Sequence, residues 1–195
     1  MGDIAFHLDD LALAAQHYER SLEIYLPLNR LGNLAYLQEA LAAVAFARGD
    51  IPNALKWVEE SLASYNSYGG HSTFSRSYRA AIAQAQGDLE TARFWLQRAI
   101  EKKADLEQEY RAMYLVRLAD YAAAQTLTAS SVTLYAFALR LAPHPGMILF
   151  PPEIAAAQAG LDTACASLPP AEVQAAVDRA GSITFDEAIR LIFPS

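Results

Sequence analysis

One spacing pattern recurs four times along the 195-residue chain, at intervals of about forty residues. Each copy has a small residue, an aromatic or aliphatic residue four positions later, and a second small residue three positions after that. The copies are Ala14/Tyr18/Ser21, Ala54/Val58/Ser61, Ala92/Leu96/Ala99 and Ser131/Tyr135/Ala138. A fixed period of this size predicts a solenoid of helical hairpins, in which each hairpin buries its apolar face against its neighbours. The pattern therefore favours a binding surface over a catalytic site.

Turn signals divide each copy into two helices. In the second copy, residues 34–47 have apolar residues at helical spacing, and Gly49 is placed to form a left-handed cap after them. Pro52 then suits the first turn of a second helix that runs to about residue 65. The same plan predicts helices at 76–86 and 90–103 in the third copy and at 106–125 and 129–141 in the fourth.

Small residues also recur in the first helix of each hairpin, where two helices can approach closely only if small side chains meet. The equivalent positions are Gly2, Ala42, Ala80 and Ala119, followed three residues later by Ala5, Ala45, Ala83 and Ala122. Over about residues 1–141 this pattern resembles the tetratricopeptide repeat, which implies an all-α solenoid with a right-handed superhelical course. Thr126 and Ser131 replace the usual Gly and Ala in the fourth copy, and Arg79 replaces an apolar residue in the third.

The two ends of the array differ from its middle. Met1 and Gly2 fall on the position of Leu41 and Ala42, so we expect the first hairpin to be truncated and the chain to be either a fragment of a longer protein or one whose end a partner covers. After residue 141, the segment 142–146 ends the array. Three short helices are predicted to form a cap at 142–195, starting at Pro151-Pro152, at Pro169-Pro170 and at a Thr184/Glu187 capping box.

Array and tail together resemble the C-terminal arms of bacterial signal-transducing ATPases, including LuxR-type multidomain transcriptional regulators. The similarity rests on Ala-Arg-Gly-Asp at 47–50, Glu-Glu-Ser-Leu at 59–62 and the order of the tail helices. It implies an arm that senses a ligand or partner and controls a nucleotide-binding switch. No phosphate-binding Gly-x-x-x-x-Gly-Lys-Ser/Thr motif occurs in the sequence. The alternative is a stand-alone scaffold that self-associates through its N-terminal end.

Composition and charge exclude several classes of function. The net charge of −7 argues against general binding to nucleic acid or to an anionic membrane. No apolar run is long enough to span a bilayer, and the single Cys165 fits a reducing compartment, so we expect a cytoplasmic protein. The four histidines lack metal-ligand spacing and no nucleophile–base set is evident, so neither enzymatic activity nor a cofactor or metal is expected.

The resemblance also implies where a partner would bind, because the first helices of such repeats line a concave groove. A protein or peptide with apolar anchors and some positive charge would suit these positions, and a small-molecule effector is also possible. Tyr36 and Phe74 are expected to be surface contacts whose replacement leaves stability nearly unchanged. The alternative is that the tail folds back across the groove. The positions are Phe6, His7, Tyr36, Glu39, Phe46, Phe74, Ser77, Gln84, Met113, Val116 and Asp120.

Overall fold

The computed structural model describes residues 1–67, 69–101, 110–144 and 149–194, which form helices and turns with no strand among them. These residues belong to two compact units, 1–101 (unit 1) and 102–195 (unit 2). The fourth hairpin therefore groups with the tail helices. The division into an array at 1–141 and a cap at 142–195 stays a prediction, as does the handedness of the superhelix.

Unit 1 contains three helical hairpins. They are α1 (Gly2–His7) with α2 (Leu11–Tyr25), α3 (Leu31–Ala47) with α4 (Ile51–Ser67), and α5 (Thr73–Ala85) with α6 (Leu89–Ala99). The two helices of each hairpin pack on each other, and α2 packs on α3 as α4 does on α5. Neighbouring hairpins thus stack directly, which confirms the predicted helical-hairpin architecture within this unit.

The described residues of unit 2 form the fourth hairpin, α7 (Arg111–Ala124) with α8 (Thr128–Leu141), and three further helices. These are α9 (Pro151–Ala166), α10 (Pro170–Ser182) and α11 (Phe185–Arg190), close to the predicted positions. Both α9 and α10 pack on α8, α9 also reaches α7, and α11 lies on α7. The capping box at α11 is confirmed, because Thr184 Oγ1 accepts from the amide of Glu187 and the Glu187 carboxylate accepts from the amide of Thr184.

The recurring small residues lie at the centres of the hairpins, as predicted. Ala14, Ala54, Ala92 and Ser131 are all completely buried, and so are Ala42, Ala80 and Ala119. Gly2 is equally constrained, because a Cβ atom there would lie 2.5 Å from Cε1 of Tyr18. Side chains larger than Ala at these crossings would therefore force the helices apart.

Turn chemistry sets the helix ends. Gly49 and Gly87 have φ of 73° and 78°, the left-handed conformation predicted after the first helix, and in the fourth copy Thr126 adopts it with φ of 59°. The start of α5 was predicted three residues too late, because the Ser72 side chain caps it by accepting from the amide of Ser75. Tyr68, residues 102–109 and 145–148, and with them the predicted start of a helix at 106, lie outside the described residues.

The end of α6 was predicted too far along the chain. The helix stops at Ala99, and Ile100 and Glu101 are not helical. Side chains of α5 bind the last carbonyl groups of α6: Arg76 Nη1 donates to the Arg98 carbonyl at 2.7 Å and Thr73 Oγ1 to the Ala99 carbonyl at 3.2 Å. These bonds satisfy acceptors that a longer helix would otherwise have used internally.

Candidate functional site

The eleven groove positions differ widely in their exposure. His7 and Tyr36 are exposed, with 48% of Tyr36 accessible, and Phe46, Gln84 and Asp120 are half-buried. The remaining side chains are packed inside the protein, so they offer little surface to a partner in this conformation. The buried positions are Phe6, Glu39, Phe74, Ser77, Met113 and Val116.

The exposed positions of unit 1 lie where a hydrogen bond joins α3 to α1. The Tyr36 hydroxyl donates to Asp3 Oδ1 at 2.6 Å, and the Tyr18 hydroxyl donates to the same oxygen at 2.7 Å. His7 Nδ1 donates to the Asp3 carbonyl at 2.7 Å. Burial, together with the negative charge of Asp3, raises the pKa of Tyr18. The surface here combines an aromatic ring, a carboxylate and an imidazole.

Aromatic rings continue from α3 to α5. The Phe46 ring meets the Tyr78 ring edge-on at 5.6 Å, and Tyr78 stacks on Phe74 at 4.7 Å. Tyr78 and Phe74 are both buried. The expectation that Phe74 is a surface contact whose loss leaves stability unchanged is therefore corrected, because its ring belongs to the core. Truncating a buried Phe costs about 3–5 kcal/mol.

Glu39 lies inside the protein, where it connects three helices. Its carboxylate accepts hydrogen bonds from Ser72 at the start of α5, from Ser75 Oγ at 2.7 Å, and from the Tyr65 hydroxyl of α4 at 3.1 Å. Burial raises the pKa of Glu39, although these hydrogen bonds act in the opposite direction. The carboxylate is thus engaged within unit 1, on the side where α3, α4 and α5 meet.

A second carboxylate network, with Arg117 and Glu153 buried and Asp120 half-buried, lies in unit 2. Arg117 of α7 donates to Glu153 of α9 at 2.5 Å, and its Nη1 lies 3.7 Å from Oδ2 of Asp120. Asp120 Oδ1 in turn accepts from the Tyr135 hydroxyl at 2.5 Å. Burial raises the pKa of Asp120 against the opposing effects of Arg117 and Tyr135. Removing one member of such a buried pair costs about 3–5 kcal/mol, which marks these residues as structural.

The C-terminal segment covers part of α7. Phe185 of α11 lies 6.1 Å from the Tyr114 ring and 5.3 Å from the Arg111 guanidinium, and Phe193 lies 6.3 Å from the Tyr121 ring. Tail residues therefore pack on the first helix of the fourth hairpin, whereas the alternative that the tail folds back across the groove stays a prediction.

The sequence profile of the tetratricopeptide repeat family matches residues 1–67 and 33–105, which together span more than half of the chain. The chain belongs to the tetratricopeptide repeat family. No curated protein and no solved structure matches it. Family membership indicates a protein-binding module of a kind that is typically non-catalytic.

The described part of this tetratricopeptide repeat chain was compared with the requirements of a membrane span and of a metal site. Among the described residues, no helix combines the length and apolarity needed to cross a bilayer, and no cluster of three His, Cys, Asp or Glu side chains could hold a metal ion. Cys165 is partly buried beside Ala164, and desolvation raises the pKa of its thiol. A raised pKa disfavours the thiolate, which is the nucleophilic form of cysteine.

Sequence reasoning missed Asp3 and Arg117, which organise the polar contacts of the two units. A signal for Asp3 was present, because Asp3 and Asp120 occupy equivalent positions in the first and fourth hairpins, and so do Tyr18 and Tyr135. Asp occurs at the first of these positions only where Tyr occurs at the second. Residues that change together between repeats in this way indicate a contact between the two positions. The partner of Arg117, Glu153, lies beyond the repeats and could not have been found in this way.

Proposed function

We propose that the first-helix face of unit 1 binds a peptide or helical segment of a partner protein. This face carries Asp3 and His7 of α1, Tyr36 and Phe46 of α3, and Gln84 of α5. The observation that supports it best is the exposed Tyr36 ring, which its hydroxyl bond to Asp3 holds across the junction of α1 and α3. A fixed aromatic ring with one polar end is an effective contact residue, because little side-chain entropy is lost on binding.

Charge indicates the kind of partner. The Asp3 carboxylate is exposed at this face, while Arg76 and Arg79 of α5 are engaged with Glu101 and Glu59 on the side of the second helices. A partner segment with apolar anchors and a Lys or Arg near the Asp3 end would match this arrangement. The residues described on this face include no Lys or Arg, so they offer a free C-terminal carboxylate no such cation.

The test compares two exposed aromatic rings of unit 1. Tyr36→Ala and the control Phe94→Ala, on second helix α6, remove rings with 48% and 49% exposure. Basic amphipathic peptides that bind the wild-type protein in a fluorescence-polarisation screen are then titrated against both variants. We expect Tyr36→Ala to weaken binding about tenfold and Phe94→Ala less than twofold, with both melting curves nearly unchanged. Equal affinities for wild type and Tyr36→Ala would reject this face as the binding site.

The finer role we propose is that of the regulatory arm of a larger cytoplasmic bacterial signalling ATPase or transcriptional regulator, responding to a protein or small-molecule effector. This role is supported by the short sequence motifs at 47–50 and 59–62 and by the order of the tail helices. The gene itself provides the test. An ATPase encoded in the same reading frame upstream of Met1 would support the proposed role as a regulatory arm. An upstream stop codon in that frame would contradict it.

Self-association is a second candidate, favoured by one observation. The first hairpin exposes Ile4, Leu8 and Leu13, with 75% of Leu8 accessible, along the outer side of α1 and the start of α2. Two copies could bury these side chains against each other in an isologous contact. Sedimentation equilibrium tests this directly: a concentration-dependent mass that Leu8→Asp abolishes would support it, and a strict monomer at high concentration would remove it.

A further inference from the structure

A cavity opens between the first and second hairpins, on the side of their second helices. It has a volume of about 160 Å³ and lies between α2, the last turn of α3 and the start of α4. Its polar lining consists of Glu19, Arg48, Asp50, Asn53 and Trp57. Apolar residues, Leu41 among them, complete its walls. None of the groove positions lines it, so this site is independent of the binding face proposed above.

The equivalent junction between the second and third hairpins is occupied by a side chain of the protein itself. There Glu59 and Trp95 stand at the positions of Glu19 and Trp57, and Arg79 stands at the position of Leu41. Arg79 Nε donates to Glu59 Oε1 at 2.6 Å, and the Arg79 guanidinium carbon lies 6.0 Å from the centre of the Trp95 ring. One guanidinium is therefore held between a carboxylate and an indole ring.

The local backbone supports this equivalence. The amide of Asp50 donates to the Ala45 carbonyl at 2.9 Å, and that of Asp88 donates to the Ala83 carbonyl at 2.9 Å. Both aspartates then cap the following helix, since each accepts from the amide three residues later. The two junctions thus share the same turn and the same carboxylates. Their walls differ in having Leu41 or Arg79, Arg48 or Gln86, and Ala15 or Leu55.

At the position of Arg79 the first junction has Leu41, whose side chain carries no charge. The Glu19 carboxylate makes no hydrogen bond or ion pair with any residue that the structure describes. The Trp57 ring already attracts a cation, because Lys56 Nζ lies 4.5 Å from its centre. A cavity of about 150 Å³ accepts a molecule the size of benzene, so a guanidinium group fits here.

We propose that this cavity binds the guanidinium group of a ligand, with Glu19 as its ion partner and Trp57 as its stacking surface. The source is either an arginine side chain of a partner or a free guanidinium compound. Arg48 lies on the Asp50 side of the cavity and offsets part of its negative charge, whereas the equivalent residue in the filled junction is the neutral Gln86. Arg48 therefore limits the affinity, and Glu19 provides it.

The test follows the two indole N–H resonances in an ¹H–¹⁵N spectrum while methylguanidinium is added to the full chain. Trp57 should shift with saturation, whereas Trp95, which already contacts Arg79, should not. Neutral methylurea is the matched control and should leave both unchanged. Glu19→Gln should weaken binding about fivefold, and Arg48→Gln should strengthen it about fivefold, as expected for partly exposed charge pairs. Both positions are exposed, so the variants are expected to fold.

Two more ligands distinguish the sources. Acetyl-Gly-Arg-Gly-amide and free arginine are titrated beside acetyl-Gly-citrulline-Gly-amide, in which a neutral ureido group replaces the guanidinium. Tighter binding of the arginine peptide assigns the site to a partner's side chain, and tighter binding of free arginine assigns it to a small molecule. Parallel, non-saturating shifts of both indoles, or equal binding of the citrulline peptide, would overturn the proposal. These readouts are independent of Tyr36. If the cavity does not bind guanidinium, the proposal that the first-helix face binds a partner is therefore not affected.

Discussion

The hydroxyl of Tyr135 donates to Asp120 Oδ1 at 2.5 Å, and the same bond recurs between Tyr18 and Asp3 at 2.7 Å in the first hairpin. In the second and third hairpins the equivalent pairs are Ala43 with Val58 and Ala81 with Leu96, all of them buried. The same contact between first and second helix thus has a polar form and an apolar form. The polar form needs both partners, because Tyr18 and Tyr135 are buried and a buried hydroxyl without a hydrogen bond is costly.

The two tyrosines should differ in their contribution to stability. Asp120 is half-buried in a network with Arg117, so Tyr135→Phe should lower the free energy of unfolding by about 1–3 kcal/mol. Tyr18→Phe should cost less, because Asp3 is exposed to water and still accepts from Tyr36. Urea denaturation of both variants measures the difference. Equal decreases in the free energy of unfolding would show that the surroundings of the two carboxylates do not affect the contribution of the tyrosine hydroxyl.

Gly160 of α9 is required by its contact with Tyr135. A Cβ atom at this position would lie 2.5 Å from Cζ of that ring, and the ring is fixed by burial and by its bond to Asp120. Gly160→Ala should therefore destabilise the protein by about 1–3 kcal/mol, although Ala is the better helix former. Gly181→Ala, with no atom within 4 Å, is the control and should be neutral or slightly stabilising in thermal melts. A stabilised Gly160→Ala would contradict the packing described here.

Glu39 should make stability depend on pH. Because burial raises its pKa, the folded protein retains a proton that the unfolded chain releases above a pKa of about 4.3. This contribution to stability is complete below that pH and is lost as the pH rises through the raised pKa of the folded state.

The matched variant for this prediction is Glu39→Gln, which cannot titrate. The unfolding free energy of the wild type minus that of the variant should decrease as the pH rises from about 4.3 towards the raised pKa. Urea titrations between about pH 4 and pH 8 cover this window. A difference that grew with pH would mean that the hydrogen bonds from Ser72, Ser75 and Tyr65 outweigh burial.

The sequence was sufficient to predict the hairpins, because the small residues at a helix crossing recur at a fixed local spacing. It was not sufficient to predict which groove positions are exposed. The burial of Phe74 depends on stacking with Tyr78, and that of Glu39 on serines more than thirty residues away. Arg79 stood out as a departure from the repeat pattern. Its role became clear only through its contacts with Glu59 and Trp95.

The most direct test of the nested-hairpin architecture introduces the same side chain at two positions of α4. Ala54 is completely buried at the crossing, whereas Ala63 is exposed on the same helix. Ala54→Leu should lower the urea-derived free energy of unfolding by about 1–3 kcal/mol, and Ala63→Leu should change it by less than about 0.5 kcal/mol. Equal stability of the two variants would contradict the claim that small side chains at these crossings allow the hairpins to form.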